Sequence, residues 1–416
     1  MNAHQAEEYL LGLELFGMRF GLDRMHKLMT VMGLPQRRFG SVHVVGTNGK
    51  SSTARFCAAI LERHGLRTGS YTSPHLRTFR ERIEVAEEPI PETDFAAAVA
   101  QAAHAAELVD RTVGPDDRVT QFEALTAAAY HELARRDVEV AVVEAGLGGR
   151  FDATNVIPSK VQVLTNVGLD HTRWLGPTVE DIAAEKLAVV RDYATLVTPP
   201  DLDPEVEPVA REAARRHRLK RSSAPQDPGS EISLGARGDF QRRNFALAAA
   251  AAEAFLERDL EPTATARAAE ETRIPGRMDV VAEEPMTIYD GAHNPAGAAA
   301  IAATLPELTG GHRPLVGVLS VLEDKDAAGM LEALLPGLDQ AIFTRCANPR
   351  ALSPATLETL AEKLDGPPSQ TVPNPNAAVE KARLLAGKNG AVLATGSIYL
   401  VADLLREQTD ARASTL

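Results

Sequence analysis

The chain has 416 residues, against a usual domain length of about 100–200, so two domains are expected, each able to bury a full core. Lys and Arg number 44 against 57 Asp and Glu, a net charge of −13 that repels phosphate backbones and argues against nucleic acid as a partner. With 44% hydrophobic and 24% charged residues the composition is that of a globular protein, not a disordered one, and 5% aromatic residues leave little surface for base stacking. Two cysteines, Cys57 and Cys346, make neither a disulfide framework nor a CxxC pair, which predicts a reducing compartment, the cytoplasm. At the start, MNAHQAEEYL places Glu7 and Glu8 where an export signal needs a basic and then an apolar stretch. The longest apolar run, residues 245–256, is well short of the roughly 20 that cross a bilayer, so no membrane segment is expected.

Along the chain, apolar strand-like runs alternate with helical patterns, the signature of a parallel sheet covered by helices. The first strand, 42–45, passes through Gly46-Thr47-Asn48-Gly49-Lys50-Ser51 into a helix ending at His64-Gly65. Strand, glycine loop and helix in that order suit a phosphate chain: backbone N–H groups wrap it, Lys50 reaches its oxygens and the Ser51 hydroxyl faces Mg²⁺. Val44 stands where the full GxxxxGK[ST] pattern has its first glycine, and a plain βα turn is the alternative.

A second buried strand, 138–143, ends on Glu144, either a Walker-B-type acid that holds Mg²⁺ or a solvated strand terminus. Gly146, Gly148 and Gly149 favour the first, because glycine lets backbone approach a ligand closely. The third strand, 161–167, delivers Asp170 and His171, the latter a metal ligand or a structural imidazole. Thr178 and Asp181 then form a capping box for the helix that carries Lys186. Three strand ends in succession mark the usual ligand edge of an open α/β sheet.

Residues 201–228, acidic and then basic, are expected to be irregular and peripheral. An Ala-rich helix over 246–258 follows, and the Pro-Gly turn of TRIPGRMD breaks the periodicity, placing a domain boundary near Thr272: a first domain over 1–272 and a second over 273–416. Strands at 286–289, 315–319, 341–343 and 391–394, with helical stretches at 331–335 and 377–385, predict that the second is a smaller α/β domain. Asp290, His293 and Asn294 fall at its strand-end edge, although Asn294-Pro295 equally suits a turn that starts a helix. Arg277 is either a phosphate-binding group or an exposed linker arginine.

GTNGKSS, YTSPHLRTFRERI, EAGLGGRFDATN, LDHTRWLGPTVEDIAAEK, RIPGR and DGAHNP, in that order and spacing, resemble folylpolyglutamate synthase and the bifunctional dihydrofolate synthases of the Mur ligase superfamily. The resemblance runs from EYLLGLELFGMRFGLDRMHKLMTVMGLPQ to TGSIYLVADLL, nearly the whole chain. It implies a P-loop ATP- and pterin-binding domain followed by a Rossmann-like ligase domain. It also implies a reaction in which ATP phosphorylates a carboxylate and the amine of L-glutamate displaces the phosphate. By the same resemblance Thr47, Asn48, Gly49, Lys50 and Ser51 form the ATP loop, Ser73, Glu144 and His171 hold Mg²⁺, and Asn244, Arg277 and Asp290 touch ATP. Lys186 matches a lysine carried as a carbamate, an anionic oxygen ligand of the kind hard cations take. Without that context it reads as a surface lysine paired with Asp181 or Glu185.

His293 lies in the same family loop and joins Lys186 and His171 as a catalytic candidate. The pterin positions fall on Arg19, Phe20, Gly21 and Leu22, on Thr120, Gln121, Phe122 and Glu123, and on Phe151, Asp152 and Ala153. The expected ligands are ATP, a folate or dihydropteroate, and L-glutamate, taken by a monomer. Three departures bear on substrate choice: Ser51 replaces a common glycine, Leu187-Ala188-Val189 replaces Ala-Gly-Ile, and Phe240 stands where histidine is frequent. The alternatives are a Mur ligase with another carboxylate acceptor and a P-loop nucleotide switch. A switch has no use for a carbamylated lysine or for a second domain presenting Asp290 and His293.

Overall fold

The computed structural model describes residues 1–13, 21–114 and 116–406. Among the described residues, fourteen strands fall into two sheets. The first holds β1 (Gly40–Val45), β2 (Thr68–Tyr71), β3 (Ile83–Val85), β4 (Glu88–Pro89), β5 (Val140–Glu144), β6 (Val161–Leu164), β7 (Thr195–Thr198) and β8 (Lys220–Ser223), in the order β4-β3-β2-β5-β1-β6-β7-β8. All of its pairings are parallel except those at the β2-β3-β4 edge. The central strands β1, β5 and β6 are buried almost end to end, which is why each reads as an unbroken apolar run and not as an alternation.

The second sheet holds β9 (Asp279–Glu283), β10 (Met286–Tyr289), β11 (Leu315–Leu319), β12 (Gln340–Phe343), β13 (Ser369–Thr371) and β14 (Ala391–Thr395), ordered β13-β12-β11-β14-β10-β9. Only β9 is antiparallel to its neighbour.

The helix Lys50–Arg63 lies against the Ala-rich helix Asp239–Leu256, whose small side chains admit close packing, and Phe56 meets Phe245 edge to face at 5.3 Å. Sequence reading placed that second helix seven residues late, because its first turn, Asp239 to Arg243, holds one apolar residue, Phe240, among polar ones and shows no periodicity. The segment expected to be irregular forms the helix Val206–His217 and the edge strand β8. Its charges hid the pattern: only Val206, Ala210 and Ala214 are buried, one per turn, and the arginines project outward. The third strand stops at Leu164, three residues before the expected end, since Thr165 turns to brace a neighbouring loop.

Strand register aligns the loops that carry the candidate residues. Val44 pairs with Glu144 and Val45 with Leu164, so the loops after β1, β5 and β6 leave one edge of the sheet together. Tyr289 and Leu319 end level with Ala394 and Thr395 in the second sheet. Both carboxyl edges contribute to a single cavity of 510 Å³. Among the described residues no helix is long and apolar enough to cross a membrane.

Candidate active site

The phosphate loop is held from two directions. Gly46 (φ 153°) and Gly49 (φ 80°) have backbone angles that side chains avoid, and a Cβ on Gly46 would lie 1.8 Å from Thr165 Oγ1. Thr165 Oγ1 donates to the Asn48 carbonyl at 2.6 Å, and the Asn48 N–H donates to Asn166 Oδ1 at 2.9 Å. Gly49 leaves room for Asn244, whose Oδ1 would stand 2.4 Å from an added Cβ. Lys50 Nζ donates to the carbonyls of Gly46 at 3.1 Å and Thr47 at 3.2 Å, so its charge lies within the loop it serves.

Glu144 is buried at the end of β5. Its Oε1 accepts from Ser51 Oγ at 2.9 Å and its Oε2 from the Ser73 N–H at 3.0 Å. Burial raises its pKa despite the nearby Lys50 charge, the mark of a carboxylate short of positive charge. Lys186 reaches the same loop from the helix Val179–Leu187, which Thr178 and Asp181 cap reciprocally as expected. It is 4% exposed, and its Nζ donates to the Gly46 carbonyl at 2.8 Å. The surface-pair alternative therefore fails, and Glu185 pairs with Arg150 instead. Burial, with Lys50 beside it, lowers the Lys186 ammonium to about 7.

A third group forms where the two sheets approach. Lys325, after β11, donates from Nζ to Asp170 Oδ1 at 2.6 Å and lies 3.3 Å from His171 Nε2. His293 places Nε2 3.7 Å from Asp170 Oδ2, while its Nδ1 lies 3.0 Å from the Gly291 carbonyl; Nδ1 therefore carries the proton and Nε2 is the acceptor of the neutral ring. Burial and the Lys325 charge hold both imidazoles at about 4, so both are neutral at pH 7. Burial opposes ionisation of Asp170, but His171, Lys325 and His293 around it keep it well below the usual carboxylate range. Asn48 and Asn294 complete the bridge: Asn294 Nδ2 donates to Asn48 Oδ1 at 2.9 Å, and Asn48 Nδ2 to Asn294 Oδ1 at 3.3 Å.

A Mur ligase middle domain matches residues 44–217, and a Mur ligase glutamate ligase domain matches residues 276–398. The dihydrofolate synthase/folylpolyglutamate synthase of Mycobacterium tuberculosis is 36% identical over 83% of this chain and 78% of its own length. That of Bacillus subtilis is 32% identical over 96% and 97%. The chain belongs to the Mur ligases, in their dihydrofolate synthase/folylpolyglutamate synthase family. Among solved structures, Mycobacterium tuberculosis folylpolyglutamate synthase complexed with ADP and AMPPCP superposes with a TM-score of 0.90 at 33% identity, covering 98% of this chain and 99% of that one. Escherichia coli FolC in complex with DHPP and ADP gives 0.84 at 27% identity, covering 97% of each.

In this Mur ligase the residues expected to take ATP and Mg²⁺ all border the same cavity: Thr47 to Ser51, Ser73, Glu144, His171 and Lys186 from the first sheet's side, with Asn244, Arg277, Asp290 and His293. Asp290 works through its backbone partners. Its Oδ2 accepts from Met278 N at 2.8 Å and its Oδ1 from Ala292 N at 2.7 Å, tying the Arg277 turn to the His293 loop.

Among the described residues no three His, Cys, Asp or Glu side chains converge to hold a metal ion. The donor set nonetheless suits Mg²⁺, which is commonly bound through one or two carboxylates together with substrate phosphates. Glu144 supplies a buried, undercompensated carboxylate, and His171 a neutral imidazole.

The pterin candidates separate. Thr120, Phe122, Glu123, Phe151, Asp152 and Ala153 line the cavity. Gln121 turns away, its Nε2 donating to the Leu10 carbonyl at 2.8 Å, and Gly21 and Leu22 are not on the wall, Leu22 bordering a separate hollow with His26 and Arg191. Arg19 and Phe20 lie outside the described residues. Glu123 is committed to Thr120 N at 2.9 Å and to Arg24 Nη2 at 3.1 Å.

The glycines after Glu144 also have a packing role. A Cβ on Gly146 would lie 2.6 Å from Phe122 Cζ, one on Gly148 2.7 Å from Leu175 Cδ2, and one on Gly149 2.7 Å from the Glu185 and Lys186 carbonyls. The space each glycine spares is filled by protein, so these glycines pack the wall, while Gly146 and Gly148 also line the cavity.

Sequence reading missed Arg24, Trp174 and Lys325, and left Asp170 without a role; all four line the cavity. For Lys325 a signal existed, a lysine between two aspartates just past a buried strand end. Arg24 and Trp174 had none, because their neighbours in space are remote in the chain.

Proposed function

We propose that this ligase uses ATP to activate the carboxylate of a folate or dihydropteroate and joins it to L-glutamate. The observation that carries this reading is the meeting, in one cavity, of a phosphate loop from one sheet with Lys325, His293 and Arg277 from the other domain's side, in a chain whose relatives are named for this reaction. An acceptor carboxylate oxygen attacks the γ-phosphorus, the bond from that phosphorus to the bridging oxygen breaks, and ADP leaves. The amine of glutamate then attacks the acyl carbon, the carbon–oxygen bond breaks, phosphate leaves and the amine loses a proton. Positioning and charge neutralisation, more than covalent help, accelerate such steps.

Gly46 to Lys50 would hold the phosphates with N–H groups and one ammonium. Glu144, His171 and the Ser73 hydroxyl would hold Mg²⁺, which when bound neutralises phosphate charge. Lys186 is placed to complete that set as a carbamate: only the neutral amine adds CO₂, and its depressed pKa supplies that form at pH 7. His293, neutral with Nε2 as acceptor, and Lys325 would meet the incoming amino acid from the second domain. Because one chain builds the whole cavity, the enzyme would act as a monomer. Its two buried free thiols accord with the cytoplasm.

Incubation with ATP, Mg²⁺ and L-glutamate, with dihydropteroate or a reduced folate in separate reactions, should add one glutamyl mass to at least one acceptor by mass spectrometry. No addition to either acceptor while AMPPCP still binds rejects the reading.

A further inference from the structure

We propose that Trp174 is the platform for the aromatic ring of the acceptor and favours dihydropteroate over an acceptor that already carries glutamate; this rests on the ligase reading above. Trp174 is the only tryptophan of the chain. It sits on the one-turn helix Thr172–Leu175 that His171 begins, three residues on from that residue, and both line the cavity.

Its indole lines the cavity yet is 39% exposed, and Phe151, on the loop after β5, is 38% exposed on the same lining. Two large exposed aromatic rings on two loops that build one cavity are a binding surface, where one alone would mean nothing.

The wall they share is closed to further side chains: Phe122 and Leu175, also on the lining, already fill the Cβ positions of Gly146 and Gly148. The Arg173 guanidinium lies 5.2 Å from the indole centroid, over the ring, and holds its orientation.

Of the reactants, glutamate and the triphosphate are polar, and adenine is carried at the α-phosphate end of ATP, away from the γ-phosphorus that the acceptor carboxylate attacks. The ring of the acceptor remains. In dihydropteroate the reacting carboxylate is bonded directly to the benzoyl ring, so that ring must lie beside the reaction centre, where Trp174 stands. In a folate a glutamyl residue separates ring from reacting carboxylate, and the ring is pushed away from the indole.

Calorimetric titration of the intact enzyme with dihydropteroate, tetrahydrofolate and AMPPCP tests this. Trp174→Ala should weaken dihydropteroate about tenfold, as loss of a stacking partner does, with a smaller loss for tetrahydrofolate and none for AMPPCP. Trp174→Phe should restore most of it. Wild-type affinity for dihydropteroate in Trp174→Ala, equal losses on both acceptors, or a loss that Trp174→Phe does not repair would overturn the proposal. The wild type's glutamate addition reports on the ligase reading, whereas the variant-to-wild-type affinity ratio reports on Trp174, so the two failures are separable.

Discussion

Lys186 is an amine buried to 4% exposure beside Lys50, where an ammonium is disfavoured. Its replacement by alanine should lower turnover by roughly 10²–10³-fold, the usual loss when a preorganised charge-stabilising group is removed. A carbamate resonance should appear in the wild type on addition of ¹³C-bicarbonate and be missing from Lys186→Ala; its absence from the wild type rejects the carbamate. His43 in β1 offers a test of stability instead. Its Nε2 lies 2.9 Å from Thr154 Oγ1, its Nδ1 has no partner, and burial lowers it to about 3. The unfolded chain takes up this proton below about 6.5 and the folded one only near 3, so the unfolded state binds more protons in that window and stability falls as pH drops through it. The loss reaches about 4–5 kcal/mol at pH ~3. His43→Gln should flatten the pH dependence of urea unfolding between 6.5 and 3, and parallel curves for variant and wild type would refute this.

The elements that matter most are the short helices and loops after β1, β5 and β6. The helix Val179–Leu187 has nine residues and carries Lys186 one position from its end, so its start must be well fixed. Thr178 accepts from Asp181 N at 3.1 Å and donates to Asp181 Oδ2 at 2.7 Å. Thr178→Ala should cost about 1 kcal/mol in denaturant unfolding, the usual value of a lost N-cap. Thr178→Ser should cost much less. This cap was legible in sequence because its two partners are three residues apart. The helix Val206–His217 was not, since a single buried residue per turn among arginines imitates a solvated loop.

At the scale of the whole molecule, two polar bridges join the parts that must close on ATP: Asn48 with Asn294, and Asp170 with Lys325. The Asp170 and Lys325 side chains are only 9% and 7% exposed, so screening by water is slight. Removing one partner strands the other charge, and Lys325→Met should destabilise by roughly 3 kcal/mol. A double-mutant cycle with Asp170→Asn should show a coupling of about 1–3 kcal/mol, and additive losses would show that the bridge is not a unit. The same variant should make the 272–278 connection more open to limited proteolysis.

The sequence alone determined the buried central strands of the two sheets (β1, β5 and β6 in the first, β10, β11, β12 and β14 in the second), the phosphate loop and the kinship with folate ligases. Each of these is a local pattern: a buried parallel strand is a continuous apolar run, and a loop that wraps phosphate needs its glycines and lysine within a few residues. What only the tertiary structure decided is how distant residues meet. Lys325 on Asp170, Arg24 on Glu123 and Trp174 with Phe151 on one cavity lining are brought together across 155, 99 and 23 positions. No periodicity records them, because side chains remote in the chain are joined by sheet register and domain contact.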